Sequence, residues 1–75
     1  MTDILDTKGL KCPLPVLKVR KAICNVPVGT QLTILATDPL APLDLKHFCN
    51  ETGHEFEQTD SSEEGVMRFV IRRTV

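Results

Sequence analysis

The segment Gly9-Leu10-Lys11-Cys12-Pro13-Leu14-Pro15 sets one thiol directly before two closely spaced prolines. An apolar and basic run, Val16-Leu17-Lys18-Val19-Arg20-Lys21-Ala22-Ile23, follows without a break. Proline is favoured in the first helical turn, because the amide hydrogen it lacks has no intrahelical partner there and its φ is already helix-like. The spacing therefore predicts Pro13 and Pro15 in a first turn and Cys12 at or near the N-cap. A thiol there faces the positive end of the helix dipole, with Lys8, Lys11, Lys18, Arg20 and Lys21 nearby in sequence. Both effects favour thiolate over thiol. A free cysteine titrates near ~8.5, and a helix start or flanking cations lower this by about one to several units. The chemistry this arrangement offers is nucleophilic attack by one sulfur whose direction the prolines hold. The other reading is a small apolar residue at a helix start, and spacing alone leaves both open.

The remaining chemical side chains are less organised. Cys24 ends the first predicted helix and reads as a core or boundary residue. Cys49 follows Phe48 on the inward side of the second helix, where burial is expected. It stands as a second thiol for Cys12 only if the two α-carbons come within about 7 Å. His47, Cys49, His54 and Cys12 include zinc-ligand types, yet no Cys-x-x-Cys or His-x-x-x-His spacing occurs. His47 and Cys49, two apart on a helix, point to different sides. No metal and no other cofactor is expected. Asp38, at the C-terminal end of a predicted strand, is expected to cap the second helix or its preceding turn, close to the presumed site.

Seventy-five residues allow one domain, residues 1–75, with one small core. Three cysteines cannot all pair with one another. Met1-Thr2-Asp3-Ile4-Leu5-Asp6 is acidic and lacks a signal-peptide pattern. No apolar run approaches the roughly 18 to 20 residues of a membrane span. A reducing cytoplasmic compartment is the expectation. A net charge of −1 gives no overall pull toward nucleic acid or an anionic membrane, and the lack of Trp and Tyr removes the usual stacking platform for single strands. Neither a direct nucleic-acid partner nor a membrane partner is expected.

The elements that position Cys12 follow from periodicity. Ile4 to Thr7 reads as a first strand, which Gly9 breaks. Pro13 to about Cys24 reads as a helix with Val16, Leu17, Val19 and Ile23 inward. Gln31 to Thr37 is β-branched and almost continuously apolar, a covered strand that Asp38-Pro39 stops. A second helix runs from about Pro42 to Thr52, with Leu45, Phe48, Cys49 and Thr52 inward and Gly53 at the left-handed C′ position. Glu55 to Thr59 reads as a polar strand anchored by Phe56, and Asp60 to Gly65 as a turn. His54 opens this strand as a polar edge residue. Val66 to Arg73 makes the last strand, with Met67, Phe69 and Ile71 on one face. The order βαβαββ points to an α/β (α+β) two-layer sandwich: a mixed four-stranded sheet with two helices on one face. The right-handed crossover makes the first two strands parallel and puts the Cys12 turn at their C-terminal ends. The isolated polar third strand gives little reason to expect an obligate dimer, so a monomer is expected.

Asp6 to Lys21 resembles the signature of the TusA/SirA family of small sulfur-carrier proteins: Gly9-Leu10, one residue, Cys12-Pro13, one residue, Pro15, then an apolar residue and a basic helix. A second block, Ala36-Thr37-Asp38-Pro39-Leu40-Ala41 through Asp44-Leu45 to Phe48-Cys49, is similar to the family's strand-to-helix stretch, and Gly53-His54 to its next turn. The resemblance implies the same βαβαββ sandwich. It implies that Cys12 receives a sulfane sulfur from a cysteine desulfurase or rhodanese-type donor, carries it as a persulfide and hands it to a downstream acceptor protein. The family is associated with tRNA wobble-uridine thiolation, molybdenum cofactor supply and sulfur oxidation, and selenium in place of sulfur stays open. A carrier of this kind works with partner sulfurtransferases and is not an enzyme by itself. Gly9 would allow a partner's backbone to approach closely. Lys11, Lys18, Arg20 and Lys21 would steer docking to acidic surfaces or simply form a solvated face. Leu14 departs from the Glu common between the two prolines in sulfur-transfer members. It would contact a partner or pack under the loop. Two other readings remain: a regulatory or protein-interaction module docking through the Cys12 loop, and a small thiol oxidoreductase using Cys12 with Cys49.

Overall fold

The computed structural model describes residues 3–75. The chain forms β1 (Asp3–Thr7), α1 (Leu14–Ile23), β2 (Gln31–Ala36), α2 (Ala41–Thr52), β3 (Glu55–Glu63) and β4 (Val66–Arg72). The sheet order is β1-β2-β4-β3, with β1 parallel to β2 and the other two pairings antiparallel. Register puts Leu5 beside Ile34 and Ile34 beside Phe69, while Leu32 and Phe56 both flank Ile71. Because strand side chains alternate, these residues share one face. Val19 and Ile23 of α1 and Leu45, Phe48 and Cys49 of α2 join Ile34, Phe69 and Ile71 in a single core. Both helices therefore cover the same side of the mixed sheet, and the expected two-layer α+β sandwich is the observed one.

Three elements differ from expectation in ways that matter. First, α1 begins at Leu14, so Pro13 is the N-cap and Pro15 the second helical residue. Pro15, Val19 and Ile23 are its buried residues, at i, i+4 and i+8. Leu17, expected inward, is 51% exposed. Two residues from either Pro15 or Val19 is about 160–200° round a helix of 3.6 residues per turn, so Leu17 must face away from the sheet. Second, Cys24 is exposed, its Sγ 3.4 Å from the Arg20 carbonyl oxygen. The helix has ended by then, and the chain turns back into the sheet only at the buried Val26.

Third, Asp60 to Glu63 is strand, not turn. β3 runs on to Glu63 against β4, with register irregularities between Phe56 and Gln58 and between Ser61 and Glu63. Arg68 of β4 grips the Asp60 carboxylate with two bonds, at 3.1 and 3.0 Å. The connection shrinks to Glu64-Gly65, where Gly65 takes a φ of +76°. At the end of α2, Gly53 has φ +90° and its N–H donates to the Cys49 carbonyl, the left-handed stop expected there.

Candidate functional site

The loops that leave the C-terminal ends of β1 and β2 lie side by side, because those strands are parallel neighbours. Gly9 N–H donates to Thr37 Oγ1 at 2.9 Å, and Leu10 N–H to the Thr7 carbonyl at 3.2 Å. Gly9 has a φ of +82°, while a Cβ there would meet nothing within 4 Å. Backbone conformation, not crowding, is what calls for glycine in this turn. Leu14 N–H then closes the loop onto the Lys11 carbonyl at 2.8 Å.

Asp38 fastens the two loops together. Cys12 N–H donates to its Oδ2 and Leu40 N–H to its Oδ1, the latter at 2.9 Å. Charge-assisted bonds of this kind are among the stronger ones a loop can have. They hold the Asp38 carboxyl below the usual carboxylate range, first through Leu40, then Cys12, with Lys11 adding an attractive charge. The N-cap of α2 is Leu40, so Asp38 caps the preceding turn and not the helix itself.

Cys12 is exposed and stands one residue upstream of the Pro13 N-cap. Interaction with the Asp44 carboxylate of α2, desolvation, and the negative charges of Asp44 and Asp38 push its thiol above the ordinary value. These acids act against the thiolate expected from the helix start and the flanking cations. Two of the cations counted in its favour serve elsewhere: Lys8 lies 3.9 Å from Asp6, and the Arg20 guanidinium sits 5.1 Å over the Phe48 ring. Meanwhile the second helix brings an acid to the sulfur. Sequence reasoning met Asp44 only inside a resembling stretch. The available signal was an acidic residue in the first turn of a helix whose preceding loop touches the cysteine.

Around the thiol, Leu14 is 46% exposed and does not pack under the loop. Leu40 and Leu43, at the start of α2, are also exposed. Lys11 and Lys18 are exposed as well. Pro13, Val16, Arg20, Asp44, His47 and Phe48 border a groove of about 130 Å³ between the two helices.

The other candidates stay apart from this cluster. Cys49 is 5% exposed, and burial pushes its thiol up to about 11. It lies five residues beyond Asp44, about 7.5 Å along the axis at 1.5 Å per residue, and borders a different hollow with Gly53, His54 and Phe56. His47 Nε2 is 3.3 Å from Glu51 Oε1, and His54 Nδ1 accepts from Thr74 N–H at 3.1 Å just before β3 begins. Among the described residues no group of three or more His, Cys, Asp or Glu side chains is arranged to hold a metal ion. No helix among them is long and apolar enough to cross a membrane.

The family model for sulfurtransferase TusA matches residues 3–73, nearly the whole chain. The chain belongs to the TusA family. A putative sulfur carrier protein of Neisseria meningitidis serogroup A is 44% identical over 95% of each chain. The sulfur carrier protein TusA of Pseudomonas putida strain F1 is 39% identical, covering 97% of this chain and 96% of that protein. The crystal structure of a SirA-like protein from Desulfitobacterium hafniense superposes over the full length of both chains with a TM-score of 0.83. At 24% identity that likeness speaks for the fold. Within the TusA fold, the loop carrying Cys12 and the first turn of α2 carrying Asp44 form one surface at the N-terminal ends of both helices.

Proposed function

We propose that this TusA-family chain is a cytoplasmic sulfur carrier that accepts a sulfane sulfur on Cys12 as a persulfide and relays it to an acceptor protein. The observation that carries the reading is the placement of Cys12: exposed, on a loop fastened to its neighbour by Asp38, while Cys49 is buried. The relatives named as sulfur carriers support it from outside the structure.

Charging is a substitution at sulfur. Cys12 Sγ attacks the outer sulfur of a donor persulfide, a sulfur–sulfur bond forms, and the donor's own sulfur–sulfur bond breaks with its electron pair left on the donor cysteine. Discharge repeats the step, with an acceptor thiolate attacking the outer sulfur and Cys12 as leaving group. Nothing is oxidised overall, so no cofactor is required. Persulfidation is a reversible cap on exposed thiols. A cysteine desulfurase or a rhodanese-type protein is the donor class. Leu14 and the exposed Lys11 and Lys18 form the rim a donor or acceptor would touch, and Pro13 and Pro15 keep the thiol aimed outward. The final destination, a thiolated tRNA or another sulfur product, belongs to the acceptor.

Intact mass after incubation with a cysteine desulfurase, its pyridoxal phosphate and free cysteine tests the reading. The expected result is a gain of one sulfur, removed by reductant, lost in Cys12→Ser and kept in Cys49→Ser. No gain from that donor, nor from a rhodanese with thiosulfate, would sink the relay. Partner binding that survives Cys12→Ser unchanged would then favour an interaction module, and a Cys12–Cys49 disulfide a thiol oxidoreductase.

A further inference from the structure

Around α1 the side chains sort into three directions. Pro15, Val19 and Ile23 are buried, while Val16 and Arg20 border the groove toward α2. Leu14, Leu17, Lys18 and Lys21 remain, and all four are exposed. At about 100° per residue they span about 100° of the helix, on the side away from the buried positions. The stripe is ordered along its length. Leu14 stands two residues from Cys12, and Lys21 lies about 10 Å beyond Leu14 along the axis.

Charge sets this stripe apart. Among the described residues Lys18 and Lys21 have no ion pair, hydrogen bond or ring partner, whereas the other cations are engaged. Lys8 pairs with Asp6, Arg20 and Lys46 lie over the Phe48 and Phe56 rings, and Arg68 and Arg72 grip Asp60 and Glu57. Arg73 bonds the Cys24 and Val26 carbonyls, and Lys11 adds its charge beside Asp38. Moreover, no Asp or Glu occurs from Thr7 to Thr37, in a chain whose net charge is −1. The outward side of α1 therefore presents uncompensated positive charge.

We propose that the Leu14, Leu17, Lys18 and Lys21 stripe is the docking face for the protein donor that charges Cys12, a role that rests on the carrier reading above. The donor surface it fits has an apolar patch beside its transfer cysteine and carboxylates about 10 Å further away. The lysines draw in that acidic surface, and the leucines then lose water against its apolar part. A nucleic-acid backbone would engage the lysines and leave the leucines idle, so the interleaved apolar residues favour a protein. Single exposed leucines need no explanation. This pair shares one side of the helix with the two unpaired lysines and adjoins the thiol, so a donor seated along the stripe brings its cysteine to the Cys12 end.

The test is single-turnover sulfur uptake from a persulfidated cysteine desulfurase, followed against donor concentration and against salt. Lys21→Glu and Leu17→Ser alter the stripe, and Lys46→Glu makes the same charge change on α2. At low salt Lys21→Glu should raise the half-saturating donor concentration at least about fivefold. Leu17→Ser should raise it at least about threefold. Both effects should fall on half-saturation and not on the plateau rate, and Lys46→Glu should match wild type. Salt of about 0.5 M should close the gap between wild type and Lys21→Glu. Uptake that both stripe variants leave unmoved, or that Lys46→Glu weakens equally, would overturn the docking face. So would an effect of Lys21→Glu without one of Leu17→Ser, which is charge acting at a distance. Unmoved uptake together with a tRNA gel shift that Lys21→Glu abolishes would hand the face to nucleic acid. If wild type takes sulfur from neither the desulfurase nor a rhodanese, the carrier reading itself has failed and the docking role falls with it. Uptake by wild type with unmoved variants removes the docking face alone.

Discussion

At the residue level the three cysteines divide by access and by charge. Cys12 and Cys24 are exposed, and Cys49 is buried. Excess maleimide should therefore add two labels to the folded protein and three in denaturant, counted by intact mass. Modification of Cys49 in the folded state would contradict its burial. Because carboxylates hold the Cys12 thiol up, its labelling rate should keep climbing as pH passes the ordinary thiol range near ~8.5. A plateau below that range would mean the acids do not face the sulfur. The motif around Cys12 was readable as a presented thiol, and Asp38 as a turn cap, because both depend on local geometry. The sign of the thiol's shift was not. Lys11, Lys18, Arg20 and Lys21 are close in sequence and enter any local count, whereas Asp44 reaches Cys12 only after β2 and the second loop bring α2 alongside. Exposed Cys24 was misread for a related reason. A helical pattern marks the inward face but not the residue at which the helix lets go.

Among the elements, α2 and β4 follow their patterns closely. Leu45, Phe48 and Cys49 repeat at helical spacing, and Met67, Phe69 and Ile71 alternate onto the core face. The distal half of β3 does not, since Asp60-Ser61-Ser62-Glu63 has the composition of a turn. Its strand state comes from backbone pairing with β4, aided by the Arg68–Asp60 fork, and no local propensity reports a partner strand. The stop of α2 is the clearest test at this scale. Gly53 holds φ +90°, and its N–H bonds the Cys49 carbonyl. An L-residue in the left-handed region costs roughly 1–2 kcal/mol. Gly53→Ala should lower stability by about that amount in urea titration, with the denaturant slope unchanged. The substituted Cβ has open space around it, so the loss measures backbone conformation alone. No loss would mean that α2 ends some other way.

Across the whole molecule, the Cys12 surface lies at the helix N-termini and a second set of bonds closes the opposite end. Beyond β4, the Arg73 guanidinium donates to the Cys24 and Val26 carbonyls at 3.1 and 2.7 Å, tying down the turn after α1. Thr74 Oγ1 donates to the Gly53 carbonyl at 2.7 Å, and Thr74 N–H to His54 Nδ1, tying the same tail to the end of α2. This clasp works only with neutral His54, since a protonated Nδ1 cannot accept and would add a cation beside Arg73. Burial, and then the Arg73 charge, hold the His54 pKa below its ordinary value. The unfolded chain therefore takes up the proton first as pH falls, and stability declines from about pH 6.5 downward until the folded His54 also titrates. Asp38 and Glu57 have depressed pKa values, so their contributions persist above the ordinary carboxylate range and are lost lower down, as pH falls through their folded values. The two windows are separable. Thermal melts between pH 7.5 and about pH 5 should show Tm falling in wild type. His54→Asn, which keeps a neutral acceptor without a titratable ring, should flatten that stretch and leave the steeper loss at lower pH in place. An unchanged slope in the variant would move the titrating group elsewhere. Because the clasp and Cys12 sit at opposite ends of the helices, sulfur uptake by His54→Asn at neutral pH should match wild type.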